Sequence, residues 1–181
     1  MRTLILYTSQ TGSTQKYAED IASSIGGDVF PSKKFKWKNL KNYDTVVFGG
    51  WVRGGKIQGL DDFLSHYDDM EDKNVLIFSS GMSYTNDQTR KEMISANVLD
   101  IYHVRYYQLR GSFDFNKLGT VNKMMFNMGI KQLSADPNQA AVVSMMETVK
   151  ETPIEYYDDD GINRILTVLH RLVAEPQGES K

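Results

Sequence analysis

The chain has 181 residues, 40% hydrophobic and 24% charged, with a formal net charge of −2. This suits one domain around a sizeable core, and the near-neutral balance gives no electrostatic footprint for nucleic acid. With no cysteine and only three histidines, disulfides, thiolate-held metal centres and thiol catalysis are excluded, and a histidine-rich metal site is not expected.

The opening "MRTLILYTSQ" does not read as a signal peptide, because its apolar run is short and polar residues follow at once. No stretch reaches the roughly 18 apolar residues of a membrane span, so the expected location is the cytoplasm. "TLILY" (3–7) reads as a short buried strand. "STQKYAEDIASSIG" then carries Tyr17, Ile21, Ala22 and Ile25 at helical spacing, and Gly26-Gly27 stops it. "DVFP" is a weak second strand, and residues 33–44 form a polar, basic connection. "TVVFGG" (45–50) is a third strand ending in glycines, and "GLDDFLSHYDDM" gives a short helix with Leu60, Phe63 and Leu64 on one face.

"NVLIFSSG" (74–81) is a fourth buried strand, and "NDQTRKEMISANV" a helix with Asn86 or Asp87 as N-cap. "IYHVRYYQLRG" (101–111) is a fifth strand. Residues 114–133 and 138–150 read as helices or a long excursion, holding Met124, Met125, Met128, Met145 and Met146. Residues 161–175 form an amphipathic helix, and "PQGESK" is expected to fray. The whole is read as one domain, 1–181, in which 112–160 is an extended connection.

Strand and helix alternate as far as about residue 110, which predicts a parallel sheet with helices on both faces. Three strand-to-helix loops, 8–14, 49–59 and 79–86, are rich in Gly, Ser and Thr. In an open parallel sheet, ligands bind beyond the carboxyl ends of the strands. In "TSQTGST" (8–14), amides at the start of a helix would favour a phosphate, and Ser9, Thr11, Ser13 and Thr14 could add hydroxyls. No lysine follows Gly12, so this is not a Walker loop. The other reading of the same residues is a turn that merely caps the helix.

The spacing Ser9-x-Thr11-Gly12-x-Thr14, directly after the first strand, resembles the phosphate loop of flavodoxin-like proteins. The resemblance implies an α/β, doubly wound five-stranded parallel sheet of order 2-1-3-4-5, with FMN as its ligand. Ser9, Gln10, Thr11, Gly12, Ser13 and Thr14 would then hold the phosphate. In that family the loop after the third strand runs along the flavin. Trp51, with Val52, Arg53, Gly54 and Gly55, takes that place here, with glycines 49, 50, 54 and 55 admitting the ring; alternatively Trp51 caps the core edge. "SSGMSYTN" resembles the third flavin loop, with Ser79, Ser80, Gly81 and Met82 at the ring edge and Tyr84 over its other face. Arg53 and Lys56 would bring positive charge beside the ring.

"RTLILYTSQTGST", "GGWVRGGKIQG", "FSSGMS" and "LRGSFDFNKLGTVNKMMFNMGIK" together resemble the flavodoxin-like menaquinone-dependent protoporphyrinogen oxidases over roughly residues 1–133. This implies an FMN-dependent oxidoreductase passing electrons between a small organic substrate and a quinone-like acceptor. An electron carrier without its own substrate, serving a redox partner, and a cofactor-free binding module are the alternatives. Carrier flavodoxins are usually strongly acidic, and this chain is not. The Met- and Lys-rich segment, with Lys117, Lys123 and Lys131, reads first as core completed over the sheet, and second as a surface for a substrate, a partner or a peripheral membrane contact. His66, His103 and His170 lack partners at suggestive spacing, so no hydrolytic triad is expected and no catalytic residue is named.

Overall fold

A computed structural model of the chain describes residues 1–174. The "PQGESK" end and the last residue of the expected 161–175 helix lie outside the described residues. Five parallel strands form the centre: β1 (Thr3–Thr8), β2 (Asp28–Pro31), β3 (Thr45–Arg53), β5 (Asn74–Gly81) and β6 (Arg105–Phe113). They lie in the order β2-β1-β3-β5-β6, which is the expected doubly wound order. Two short strands are added antiparallel: β4 (Lys56–Ile57) on β3, and β7 (Ile154–Tyr157) on β6.

The central strands are apolar on both faces because both are covered. Leu4, Leu6, Val46, Phe48, Val75 and Ile77 face α2 (Leu60–Leu64) and α3 (Asp87–Ala96). The alternate residues Ile5, Val47, Leu76 and Phe78 face α1 (Ser13–Ile25) and α6 (Asp159–Ala174). Helix α3 starts at Asn86, whose Oδ1 accepts from Thr89 N–H at 2.9 Å while Thr89 Oγ1 accepts from Asn86 N–H at 3.0 Å. Tyr17 pins α1 to the sheet end: its hydroxyl donates to Arg110 C=O and accepts from Asp158 N–H, both at 2.6 Å.

Several bounds differ from the sequence pattern. The third strand continues through its glycines to Arg53. The fifth begins at Arg105 rather than 101, because Leu99–Ile101 turns as a 3₁₀ segment. The basic connection holds two 3₁₀ turns, Ser32–Lys34 and Trp37–Asn42. Between β6 and β7 the chain makes a helical hairpin, α4 (Thr120–Leu133) and α5 (Ala140–Glu151). β7 carried no legible signal: it has four residues, lies at the sheet edge, and is joined across a register irregularity between Gly111 and Phe113.

Candidate functional site: a cavity beyond the carboxyl ends of the strands

The loop after β1 leads directly into α1. Gly12 is the N-cap residue, with φ 99° in the left-handed region, which glycine adopts without the penalty a side chain would bring. No side chain caps α1. The helix ladder begins with Lys16 N–H on Gly12 C=O at 2.9 Å, leaving the first-turn amides uncapped. A simple capping turn is therefore not what the hydroxyls make. Ser9 Oγ accepts from Gly12 N–H, and Ser13 Oγ accepts from Ser112 N–H, both at 3.2 Å. Each keeps its own O–H proton to donate, the arrangement an anion requires. Thr14 differs: it is 1% exposed and its hydroxyl shares a 2.7 Å hydrogen bond with Ser80 Oγ. Its role here is to join two loops.

The segment after β3 is a hairpin. Arg53 pairs with Lys56 and Val52 with Ile57. Gly54 and Gly55, at φ 56° and 76°, make the two-residue turn, a conformation with positive φ at both centres. Gly49 and Gly50 do not border the cavity, contrary to the sequence reading. A Cβ on Gly49 would strike the Phe78 ring, and one on Gly50 would strike Ile57, so both make room for core neighbours. Trp51 is half-buried and lines the cavity, with the Arg53 guanidinium 5.6 Å from its ring centroid. The hairpin is tied down by Asn97, a residue the sequence did not single out. Its Oδ1 accepts from Ile57 N–H at 2.9 Å, and its Nδ2 donates to Gly55 C=O at 2.9 Å and Met93 C=O at 2.8 Å. Lys56 Nζ also donates to Ala96 C=O, so its charge is directed to a helix end.

At the end of β5, Ser79, Ser80, Gly81 and Met82 line the cavity. Ser79 Oγ is paired with Tyr106 OH at 2.7 Å in the core, and burial pushes the Tyr106 phenol up to about 12. Tyr84 is elsewhere. It is 70% exposed and packs against the Arg110 guanidinium, which lies 4.2 Å from its ring centroid and 4.5 Å from that of Tyr156.

These loops form one side of a cavity of about 490 Å³, which brings together Gln10, Thr11, Ser13, Thr14, Trp51 through Gly55, and Ser79 through Met82. Ser9, Gly12 and Tyr84 do not line it. The other side comes from the end of β6 and from the helical hairpin, through Phe113, Leu118, Asn122, Met125, Phe126 and Met146, among others. Phe113 stacks on Phe126 at 5.4 Å. The favoured sequence reading, methionines completing the core, does not hold. Met124, Met125, Met128 and Met145 are 38–57% exposed, and α4 and α5 each bury one residue, Ile130 and Val149. The signal was the Met/Lys-rich composition itself, in a helix without the single apolar stripe of a core helix.

Arg53 is the main polar group bridging the two sides: its Nη1 donates to Asn122 Oδ1 at 3.0 Å and lies 3.7 Å from Met125 Sδ. A second cleft lies on the other side of the first loop, lined by Thr11, Gly12, Ser13, Lys16 and Lys117. Lys16 is paired with Asp20 at 2.8 Å and Lys117 faces Asp114 at 3.9 Å. The loop is thus built from amides and hydroxyls, and each nearby lysine faces a carboxylate. Among the described residues no cluster of metal-ligating side chains is present, and His66 stacks on Trp37 rather than entering the cavity.

With this geometry in view, the sequence places itself: a family model described as "Flavodoxin domain" matches residues 4–152, and the chain belongs to that family. Among solved structures it is similar to flavodoxin 2 from Bacillus cereus, at 19% identity and TM-score 0.44, covering 61% of this chain and 86% of that one. It is also similar to the Megasphaera elsdenii flavodoxin, at 13% identity and TM-score 0.43, covering 59% and 82%. A flavoprotein in complex with FMN from Lactobacillus acidophilus NCFM is 18% identical, with TM-score 0.41, covering 60% and 91%. Among curated proteins, none matches this sequence.

Proposed function

We propose that this flavodoxin-domain protein binds FMN and acts as an oxidoreductase between a small organic substrate and a quinone-like acceptor. Bound FMN supplies the redox chemistry, and the chain supplies binding, orientation and exclusion of water. The first amides of α1 and the O–H group of Ser13 would take the phosphate, with Ser9 holding the loop through Gly12 N–H. The hairpin carrying Trp51 and Val52, with Gly81 and Met82 across the cavity, would hold the ring. A protoporphyrinogen-type substrate is the narrower form of the same proposal.

The observation that carries the enzymatic reading is the second wall. Phe113, Leu118, Met125, Phe126 and Met146 cover the cavity with apolar side chains, which suits a site that excludes water from an organic substrate. A carrier needs only an accessible redox edge. The net charge of −2 also gives no acidic steering field.

The visible spectrum of the purified protein, with mass identification of any released flavin, tests the first half. A yellow protein releasing FMN is expected, as is a stability gain of about 2.7 kcal/mol when free FMN is a hundredfold above its Kd. A colourless protein whose melting temperature FMN leaves unchanged overturns the reading. Anaerobic two-electron reduction of a naphthoquinone separates enzyme from carrier: turnover is expected, and electron exchange with protein acceptors alone would make it a carrier.

A further inference from the structure

We propose that the outer face of α4 docks on an anionic lipid surface. The helix has three faces. Asn122, Met125, Phe126, Gly129 and Leu133 face the cavity. Thr120, Lys123, Asn127 and Lys131 fall together on a polar face, as spacings of three and four residues require. The third face carries Val121, Met124 and Met128, which are 64%, 57% and 52% exposed, with Met125 at 43% joining it to the cavity face. A helix on a soluble surface turns polar residues outward; α4 turns these outward instead.

Charge selects the occupant. Thr120–Leu133 has no Asp or Glu and carries Lys123 and Lys131, within a chain whose net charge is −2. Lys117, ahead of the helix, faces Asp114 and adds no free charge. An apolar stripe bordered by Lys123 and Lys131, on a helix with no carboxylate of its own, matches the boundary of a negatively charged bilayer. Methionines enter the acyl region and lysine stems reach sideways to headgroups. No helix among the described residues is long and apolar enough to cross a membrane, so the contact lies on the surface. In that pose Met125, which lines the cavity, lies beside the lipid-facing stripe. The inference stands independently of what the cavity binds.

Vesicle flotation of the full chain tests it, using phosphatidylcholine alone and phosphatidylcholine mixed with phosphatidylglycerol. Binding to the mixed vesicles, absent on neutral ones and weakened by salt, is expected. Met124→Glu combined with Met128→Glu should reduce it at least about tenfold. Both sites are exposed, so circular dichroism and the melting temperature should stay those of the parent. Lys123→Glu combined with Lys131→Glu should have a comparable effect on the mixed vesicles. No binding to mixed vesicles, or equal binding by the Met124→Glu/Met128→Glu variant, overturns the proposal. A dimer in light scattering that this variant converts to monomer would assign the face to a second copy, and also overturns it.

Discussion

Thr14 Oγ1 lies 2.7 Å from Ser80 Oγ, and both side chains are buried. This bond joins the first turn of α1 to the end of β5, two elements 66 residues apart in sequence. It fixes the loop after β1 relative to the loop after β5 with no charged group. Thr14→Val keeps the volume but leaves the Ser80 hydroxyl without a partner, so a loss of about 1–3 kcal/mol is expected in urea unfolding. Replacing both partners, Thr14→Val with Ser80→Ala, should cost less than the sum of the single changes. Full additivity would show that the two hydroxyls are not coupled.

Gly12 tests the cradle itself. Its φ of 99° disfavours any Cβ, although no atom lies within 4 Å of where one would sit. Gly12→Val should therefore distort the loop by backbone strain rather than by a clash. On the proposed placement of the phosphate, FMN affinity should fall far more than riboflavin affinity, because riboflavin has no phosphate for the loop's amides to hold. Equal losses measured by flavin fluorescence quenching would place the phosphate elsewhere.

Asn97 holds the Trp51 hairpin from outside the cavity through two hydrogen bonds at 2.9 Å, and its third, at 2.8 Å, goes to Met93 C=O in α3. Asn97→Ala leaves Ile57 N–H and two carbonyls without this partner, a cost of about 1–3 kcal/mol. The hairpin should loosen with it. Faster hydrogen exchange at Ile57 N–H, relative to strand amides in β1, is the expected signature; unchanged protection would mean the turn stands alone.

Several tyrosines set an alkaline limit, among them Tyr17, Tyr106 and Tyr157, the last pushed up by burial and then by Asp20. Burial pushes Tyr17 up to about 12, with the hydrogen bond from Asp158 N–H opposing and the charge of Asp158 adding, and burial pushes Tyr106 up to about 12, with the Ser79 hydrogen bond opposing. Both phenols sit above their unfolded value of about 10, so the folded state keeps protons that the unfolded state has released. Their stabilisation is complete below about pH 10 and is lost as pH rises through about pH 12. Thermal unfolding followed across that window should show a falling melting temperature. Tyr106→Phe should remove its share of the slope, and an unchanged slope in that variant would exclude Tyr106 from the effect.

Much of the fold was legible because its signals are local. Buried runs such as Leu4-Ile5-Leu6 and Val46-Val47-Phe48 sit between turn-forming residues, and helix α1 is bracketed by glycines. Parts of the cavity were legible for the same reason, since Gly- and Ser-rich loops cluster at strand ends. What stayed hidden depends on long-range packing. Phe78 and Ile57 decide what Gly49 and Gly50 are for, and no pattern near the glycines reveals that. Tyr84 lies in a suitable loop, yet Arg110, 26 positions away, draws its ring outward. The cavity's second wall comes from residues 112–146, whose composition resembled core and whose placement depends on the return through β7.

That return has an architectural consequence. Gly111 pairs with Tyr157 and Phe113 with Ile154, so the excursion departs from and re-enters the sheet at neighbouring positions on adjacent antiparallel strands. The forty residues between Phe113 and Ile154 are thus a detachable module grafted into a single β-hairpin. A short turn could bridge its roots and leave the five parallel strands and their helices whole. The chain thus divides into a parallel-sheet body and a roof over the cavity that leaves and rejoins it at one sheet edge.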